Sequence, residues 1–227
     1  MKLFLLSITT VLAANCLYAQ QKLVHTSTAA NTSANSTYID AAGLNGNPGA
    51  VIILEYDDNT AKANPHVTGV WYNGSQWAIF NQDRTAMPTG LRFSLTWSNS
   101  GANAFAQKAT ANNLNQGRLV IDHPSLNNNP GASFYASQVW NPGGGNGVYN
   151  NATIAAAYDK ITARWMVSNQ DGSAIPAGAA INILVTGTKS TTVAPIATTV
   201  ITNPAVTTID PSVRTANFIS SNPGFEN

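Results

Sequence analysis

Eight of the chain's ten Asp and Glu side chains are the candidates for acid–base chemistry: Asp40, Glu55, Asp57, Asp58, Asp83, Asp122, Asp159 and Asp171. A glycoside-acting enzyme needs two of them to converge across a sugar ring, one as acid and one as nucleophile or base. No spacing singles out such a pair. "EYDDNT" places Asp57 and Asp58 beside Glu55 and Asn59, oxygen donors that suit Ca²⁺. The spacing of a full calcium loop is missing, and a solvated acidic hairpin accounts for the stretch. His25, His66 and His123 lie far apart, without the paired spacing that zinc requires. Gly-x-Ser-x-Gly is absent. Gly143-Gly144-Gly145 lacks the strand–helix context of a phosphate cradle and reads as a flexible loop. The expectation is a protein that is not an enzyme and uses no cofactor.

Binding chemistry has better material. Trp71, Tyr72, Trp140 and Tyr149 sit in hairpins or loops, where aromatic rings can stack on sugars, and Asn141 and Asn150 can bond hydroxyls. Core packing is the competing use of such rings. Trp140, beside an Asn-Pro-Gly loop, is expected to be the most exposed of them. "WAIFNQD" (77–83) and "WMVSNQD" (165–171) repeat one phrase. Its Asn81, Asp83, Asn169 and Asp171 follow apolar strands and precede Met87-Pro88 or Ile175-Pro176. That position fits turn residues that bond their own backbone better than a cation or sugar site. Trp77 and Trp165 recur in register and are assigned to the core. Asp40 and Asp122 each precede a loop ending in Asn-Pro-Gly, and each is expected to be buried and to tie that loop down.

The elements that position these residues are written twice. Residues 25–50 lie over 107–132 without a gap: Ile39-Asp40 meets Ile121-Asp122, and Asn47-Pro48-Gly49 meets Asn129-Pro130-Gly131. Copy two inserts "WNPGGGNG". The match then resumes at Tyr72 and Tyr158, Trp77 and Trp165, and the two Asn-Gln-Asp triplets. "GAVIILEY" is an apolar run of strand length, and "LRFSLTW" alternates Leu91, Phe93, Leu95 and Trp97 with polar residues. Asn73-Gly74 predicts a two-residue type I′ hairpin. The only hint of helix is a short turn near 102–108. The fold class is therefore all-β: two tandem sandwich or barrel-like halves, with a C-terminal extended or strand-forming tail. The expected divisions are a signal peptide at 1–19, repeat one at 20–106, repeat two at 107–187 and a Thr/Val/Pro-rich tail at 188–227.

"NPGGGNGVYNNATIAAAY" together with "GVWYNGSQWAIFNQD" and "MPTG" resembles a family of secreted bacterial repeat domains of unknown function. Copy one lacks "NPGG", and copy two has "AAAYDKITARWMVSNQD". The resemblance spans about 25–187. It implies β structure and bacterial secretion, and it brings no catalytic residues with it.

The start "MKLFLLSITTVLAANCLYAQ" has the charge, apolar run and small-residue exit of a secretory signal. It is too short for a membrane span, and no second apolar stretch reaches about 20 residues. The one cysteine, Cys16, lies within it. Charged residues make up 9% of the chain, against roughly 25% in typical domains. With a formal net charge of +1 and no basic stripe, nucleic acid is not an expected partner. The expected role is a secreted structural or adhesive protein that self-associates by strand addition. The alternative is a module binding glycans or cell-surface polysaccharide.

Overall fold

The computed structural model describes residues 20–56, 63–188 and 200–201. The described residues form strands, turns and loops, with no helix. Repeat one runs β1 (Gln21–Thr26), β2 (Thr32–Ser33), β3 (Ser36–Ile39), β4 (Ala50–Tyr56), β5 (Thr68–Tyr72), β6 (Trp77–Asn81) and β7 (Arg92–Asn99). Repeat two restates the series as β8 (Ala104–Lys108), β9 (Leu114–Asn115), β10 (Arg118–Ile121), β11 (Ala132–Val139), β12 (Ile154–Asp159), β13 (Arg164–Asn169) and β14 (Ala180–Thr188). β15 (Val200–Ile201) follows.

Pairing repeats as faithfully as sequence. Repeat one forms a three-stranded sheet β1-β7-β4 and a four-stranded array β2-β3-β6-β5. Repeat two forms β8-β14-β11 and β9-β10-β13-β12. Each repeat is thus a small two-sheet sandwich. The alternation read from "LRFSLTW" holds: Phe93 and Leu95 are buried, with Trp97 packed against the same core. Ile39, Val70, Trp77 and Ile79 face them in repeat one. Leu119, Ile121, Phe134, Trp165 and Val167 fill the second core. Burying such side chains supplies roughly 1.5–3 kcal/mol each. The core indoles also anchor loops: Trp77 Nε1 donates to Asn47 O at 2.8 Å and Trp165 Nε1 to Asn129 O at 3.0 Å. This is why Trp and Asn-Pro-Gly recur together.

Two local expectations are corrected. The stretch near 102–108 is strand β8, because β14 pairs with it from Ala180↔Lys108 to Leu184↔Ala104. That pairing puts the seam between repeats at residues 100–103. The Asn73-Gly74 hairpin is a four-residue loop, with Tyr72 paired to Trp77. Gly74 has positive φ but Asn73 does not. Asn73 instead turns its side chain inward, and Oδ1 accepts from the Ser75 and Gln76 amides at 2.9 and 2.8 Å.

The repeats are joined by strand addition. β5 pairs in parallel with β11 at Val70↔Val139, so the array of repeat one runs on into the three-stranded sheet of repeat two. That long sheet wraps the edge of β4. Ile52 and Leu54 point into the first core, while Val51 and Ile53 pack on Ala104 and Leu184 of repeat two. Between them the open backbone of β4 is met by buried polar side chains. Ser137 Oγ accepts from Leu54 N at 2.9 Å, and Asn182 Nδ2 donates to Ile52 O at 3.0 Å. Replacing Asn182 by Leu or Ser137 by Ala removes one hydrogen bond from the buried backbone of β4. Each change should cost about 1–3 kcal/mol in urea denaturation. Thr186→Ala, which removes an exposed bond to Ser133 O, should cost under about 0.5 kcal/mol.

Candidate functional site

The candidate rings gather where repeat two docks on the outer face of β3, β5 and β6. Tyr38, Trp71 and Phe80 project from that face, away from Ile39, Val70 and Ile79. Trp71 meets Tyr38 and Trp140 edge-on, each at 6.2 Å between centroids. Trp140 continues to Tyr149 at 5.9 Å, and Tyr149 to Phe80 at 5.7 Å. The Arg84 guanidinium lies 4.5 Å above the Tyr149 ring, a cation–π contact. Trp71, Trp140 and Tyr149 are all half-buried. Trp140 is thus less exposed than expected, because it is wedged between Trp71 and Tyr149 and its indole N–H is buried without an acceptor.

Three of the expected sugar contacts are corrected. Tyr72 is a core residue, tilted against Trp77 at 5.5 Å. Asn141 is buried because it substitutes for a strand: Oδ1 accepts from Tyr72 N and Nδ2 donates to Tyr72 O, both at 2.8 Å. Asn150 is buried as the partner of Asn169, with two reciprocal amide bonds of 2.8 and 2.9 Å. All three are buried. The glycine loop is likewise a docking clamp and not a loose connection. Gly143, Gly144 and Gly145 all have positive φ, which admits the sharp path. Gly143 N donates to Pro48 O of repeat one, and Asn141 Nδ2 holds Gly145 O.

The Asn-Gln-Asp turns behave as expected for their first and last residues. Asp83 Oδ1 accepts from Thr85 N and Asp171 Oδ1 from Ser173 N, each at 2.9 Å. Asn81 and Asn169 are buried, and each is bonded across its repeat, to Asn64 and Asn150 respectively. The next position differs between copies. Asp171 is followed by Gly172 at φ 79°, whereas Asp83 is followed by Arg84 at φ 64°. A side chain there costs about 1–2 kcal/mol, offset in part by the stack on Tyr149. Asp40 and Asp122 do tie down their loops, to Asn45 and Asn127 at 2.7 Å. They are exposed and not buried, since they lie just past the strand ends; Arg164 Nε stands 3.6 Å from Asp122. Asp57 and Asp58 lie outside the described residues. Among the described residues no group of three His, Cys, Asp or Glu side chains is arranged to hold a metal.

Sequence reasoning missed the polar seam beneath the rings. Gln82 is buried, donates to Gln138 Oε1 at 3.2 Å and accepts from Asn150 N at 3.1 Å. Gln138 passes the network on to Ala152 O at 2.8 Å. Gly69 leaves room for it: a Cβ there would stand 2.9 Å from Gln82 Nε2 and 3.2 Å from Gln138 O. One signal was available. Aligning Tyr72 with Tyr158 sets Asn64 over Asn150, and these bond to Asn81 and Asn169.

A family model for a domain of unknown function, DUF7452, matches residues 10–96, 74–185 and 155–217. The chain belongs to this family. The overlapping matches agree with the duplicated strands, and the third runs past β14 to residue 217. No curated protein and no solved structure gives a significant match. No helix among the described residues is long and apolar enough to cross a membrane.

Two outcomes follow. Asn141→Leu strips the bonds from the Tyr72 backbone and should cost about 2–6 kcal/mol, because two buried groups lose partners of roughly 1–3 kcal/mol each; chemical denaturation measures it. Asp171 is held below its ordinary pKa by the Ser173 hydroxyl and then by the Ser173 amide, against a small opposing effect of desolvation. Its folded pKa is depressed, so its contribution is full above the unfolded value of 3.8 and lost as pH falls through the lower folded value. Asp171→Asn should melt lower at neutral pH, and the gap to the parent should close in acid.

Proposed function

We propose that this protein is a secreted, non-enzymatic structural or adhesive subunit whose working principle is strand addition between sandwich units. One observation carries the reading: the chain already joins its own two halves by continuing a sheet across them, at Val70↔Val139. The polar residues support it. Asp40, Asp83, Asp122, Asp159 and Asp171 each bond within a local loop. Gln82, Gln138, Asn141 and Asn182 are spent on the seam between repeats. Low charge leaves outer edges such as β1 and β2 with few guards against further pairing. Secretion rests on the character of the first 19 residues.

The ring row on the face of repeat one favours a second reading, glycan binding. Half-buried Trp71 and Tyr38 could present a platform to a sugar, with Arg84 over Tyr149 at the far end of the ring row.

Light scattering of the secreted chain should give a native mass that rises with concentration, and removal of residues 188–227 should change the mass or the melting temperature. A monomer at all concentrations, unaltered by the truncation, would sink the structural reading. A glycan array decides the second: a hit lost in Trp71→Ala establishes sugar binding, and an empty array removes it.

A further inference from the structure

Repeat one has an open side between the edges of β4 and β5, and repeat two closes it. Ser137 and Asn182 satisfy β4, Trp140 N donates to Val70 O at 2.8 Å, Asn141 satisfies Tyr72, and Gln138 with Asn150 buries Gln82. Repeat two has the same open side between β11 and β12, and there the equivalents diverge. Among the described residues β12 is the edge of its sheet. Gln170, equivalent to Gln82, is exposed. Ala156 and Tyr158 stand where Val70 and Tyr72 stand.

Something has begun to fill that side. β15 lies parallel to β11, with Val200 opposite Tyr135 and Ile201 opposite Ala136. Tyr135 and Ala136 are the counterparts of Ile53 and Leu54, the stretch of β4 that repeat two covers. The sequence past β14 also returns to the opening of a repeat. Ile209-Asp210 restates Ile39-Asp40 and Ile121-Asp122. Asn222-Pro223-Gly224 restates Asn47-Pro48-Gly49 and Asn129-Pro130-Gly131 after a loop longer by five residues, since Asn222 lies 12 positions past Asp210 where Asn47 and Asn129 lie 7 past Asp40 and Asp122. Asp210 trails Asp122 by 88 residues, the offset that separates Trp165 from Trp77. The third family match ends at 217, inside this stretch.

We infer that the open side of repeat two is the docking site for a third repeat of the same kind, and that residues 189–227 begin it. Continuity with the existing seam selects the occupant. The surface a third repeat would meet is the surface repeat one offers to repeat two, with Gln170, Ala156 and Tyr158 as its receiving residues. The inference rests on the reading of the chain as a repeat-built structural protein. Its readout lies within a single chain, however, so it can stand where self-association fails and fail where self-association stands.

Hydrogen exchange tests it in two arms. In the first, the whole chain is compared with a chain ending at 188 and with Val200→Pro, which removes one N–H and bars regular strand pairing. Amides of 134–136 should exchange about tenfold faster in both variants, while β4 and β5 stay protected and certify the fold. In the second, residues 132–188 are appended after Gly224 to complete the third repeat. Amides of β12 should then slow by about tenfold, and Gln170→Arg should reverse the gain. Unchanged exchange at 134–136 in both variants overturns the inference. So does an appended segment that stays unprotected or leaves β12 unchanged. Protection at 134–136 that depends on protein concentration also overturns it, since a second copy would then occupy the site.

Discussion

A strand at the edge of a sheet carries a row of unpaired N–H and C=O groups, and the rest of this structure follows from how β4 disposes of its own. Water is excluded there because both faces of β4 are packed: Ile52 and Leu54 enter the first core, and Val51 and Ile53 meet Ala104 and Leu184. Buried backbone groups without partners would cost about 1–3 kcal/mol each. Ser137 and Asn182 supply the partners. To bring them there the long sheet must curl around β4. That curl fixes where β11 meets β5, where the Trp140 loop lands and which rings it covers.

The same constraint explains the polar interior. A chain with few charges cannot guard its edges by repulsion, and it uses amides as strand substitutes instead. Asn141 bonds both backbone groups of Tyr72, as a neighbouring strand would. Asn64 and Asn150 each hold the asparagine that closes a turn. Every such amide is desolvated, so its two ends must both be matched, and a sandwich this small gains specificity of register from the requirement. The glycines serve the same end: Gly69 clears space for Gln82 and Gln138, and the run at 143–145 lets the clamp turn back on Pro48.

Duplication makes one unit serve in two roles, and equivalent residues then part company. Gln82 is buried where Gln170 is exposed, because Gln138 and Asn150 of the second repeat close over Gln82. Arg84 keeps a conformation that glycine holds in copy two, and it stacks on a ring delivered by the second repeat. Side chains at a repeat seam answer to the neighbour as well as to their own fold.

The sequence by itself determined the all-β class, the twofold restatement and the core face of several strands. These depend on local alternation and on a match between segments of one chain: Leu91, Phe93, Leu95 and Trp97 fall on one face by period alone, and Trp77 and Trp165 declare themselves by recurrence. It also determined the aspartate turns, because Asp83 and Asp171 bond amides two residues away. The tertiary structure alone decided which rings and amides are available to a partner. Trp71 and Tyr72 are adjacent in sequence, yet the pleat turns one outward and the other into the core. Asn141 and Asn150 look like loop residues, but they are buried because repeat two folds back over β5 and Gln82. Burial there arises from contacts between residues some 70 positions apart, and no local pattern encodes how two sandwiches meet. The meeting is fixed by the shape of the curled sheet and by the need to satisfy the backbone it encloses.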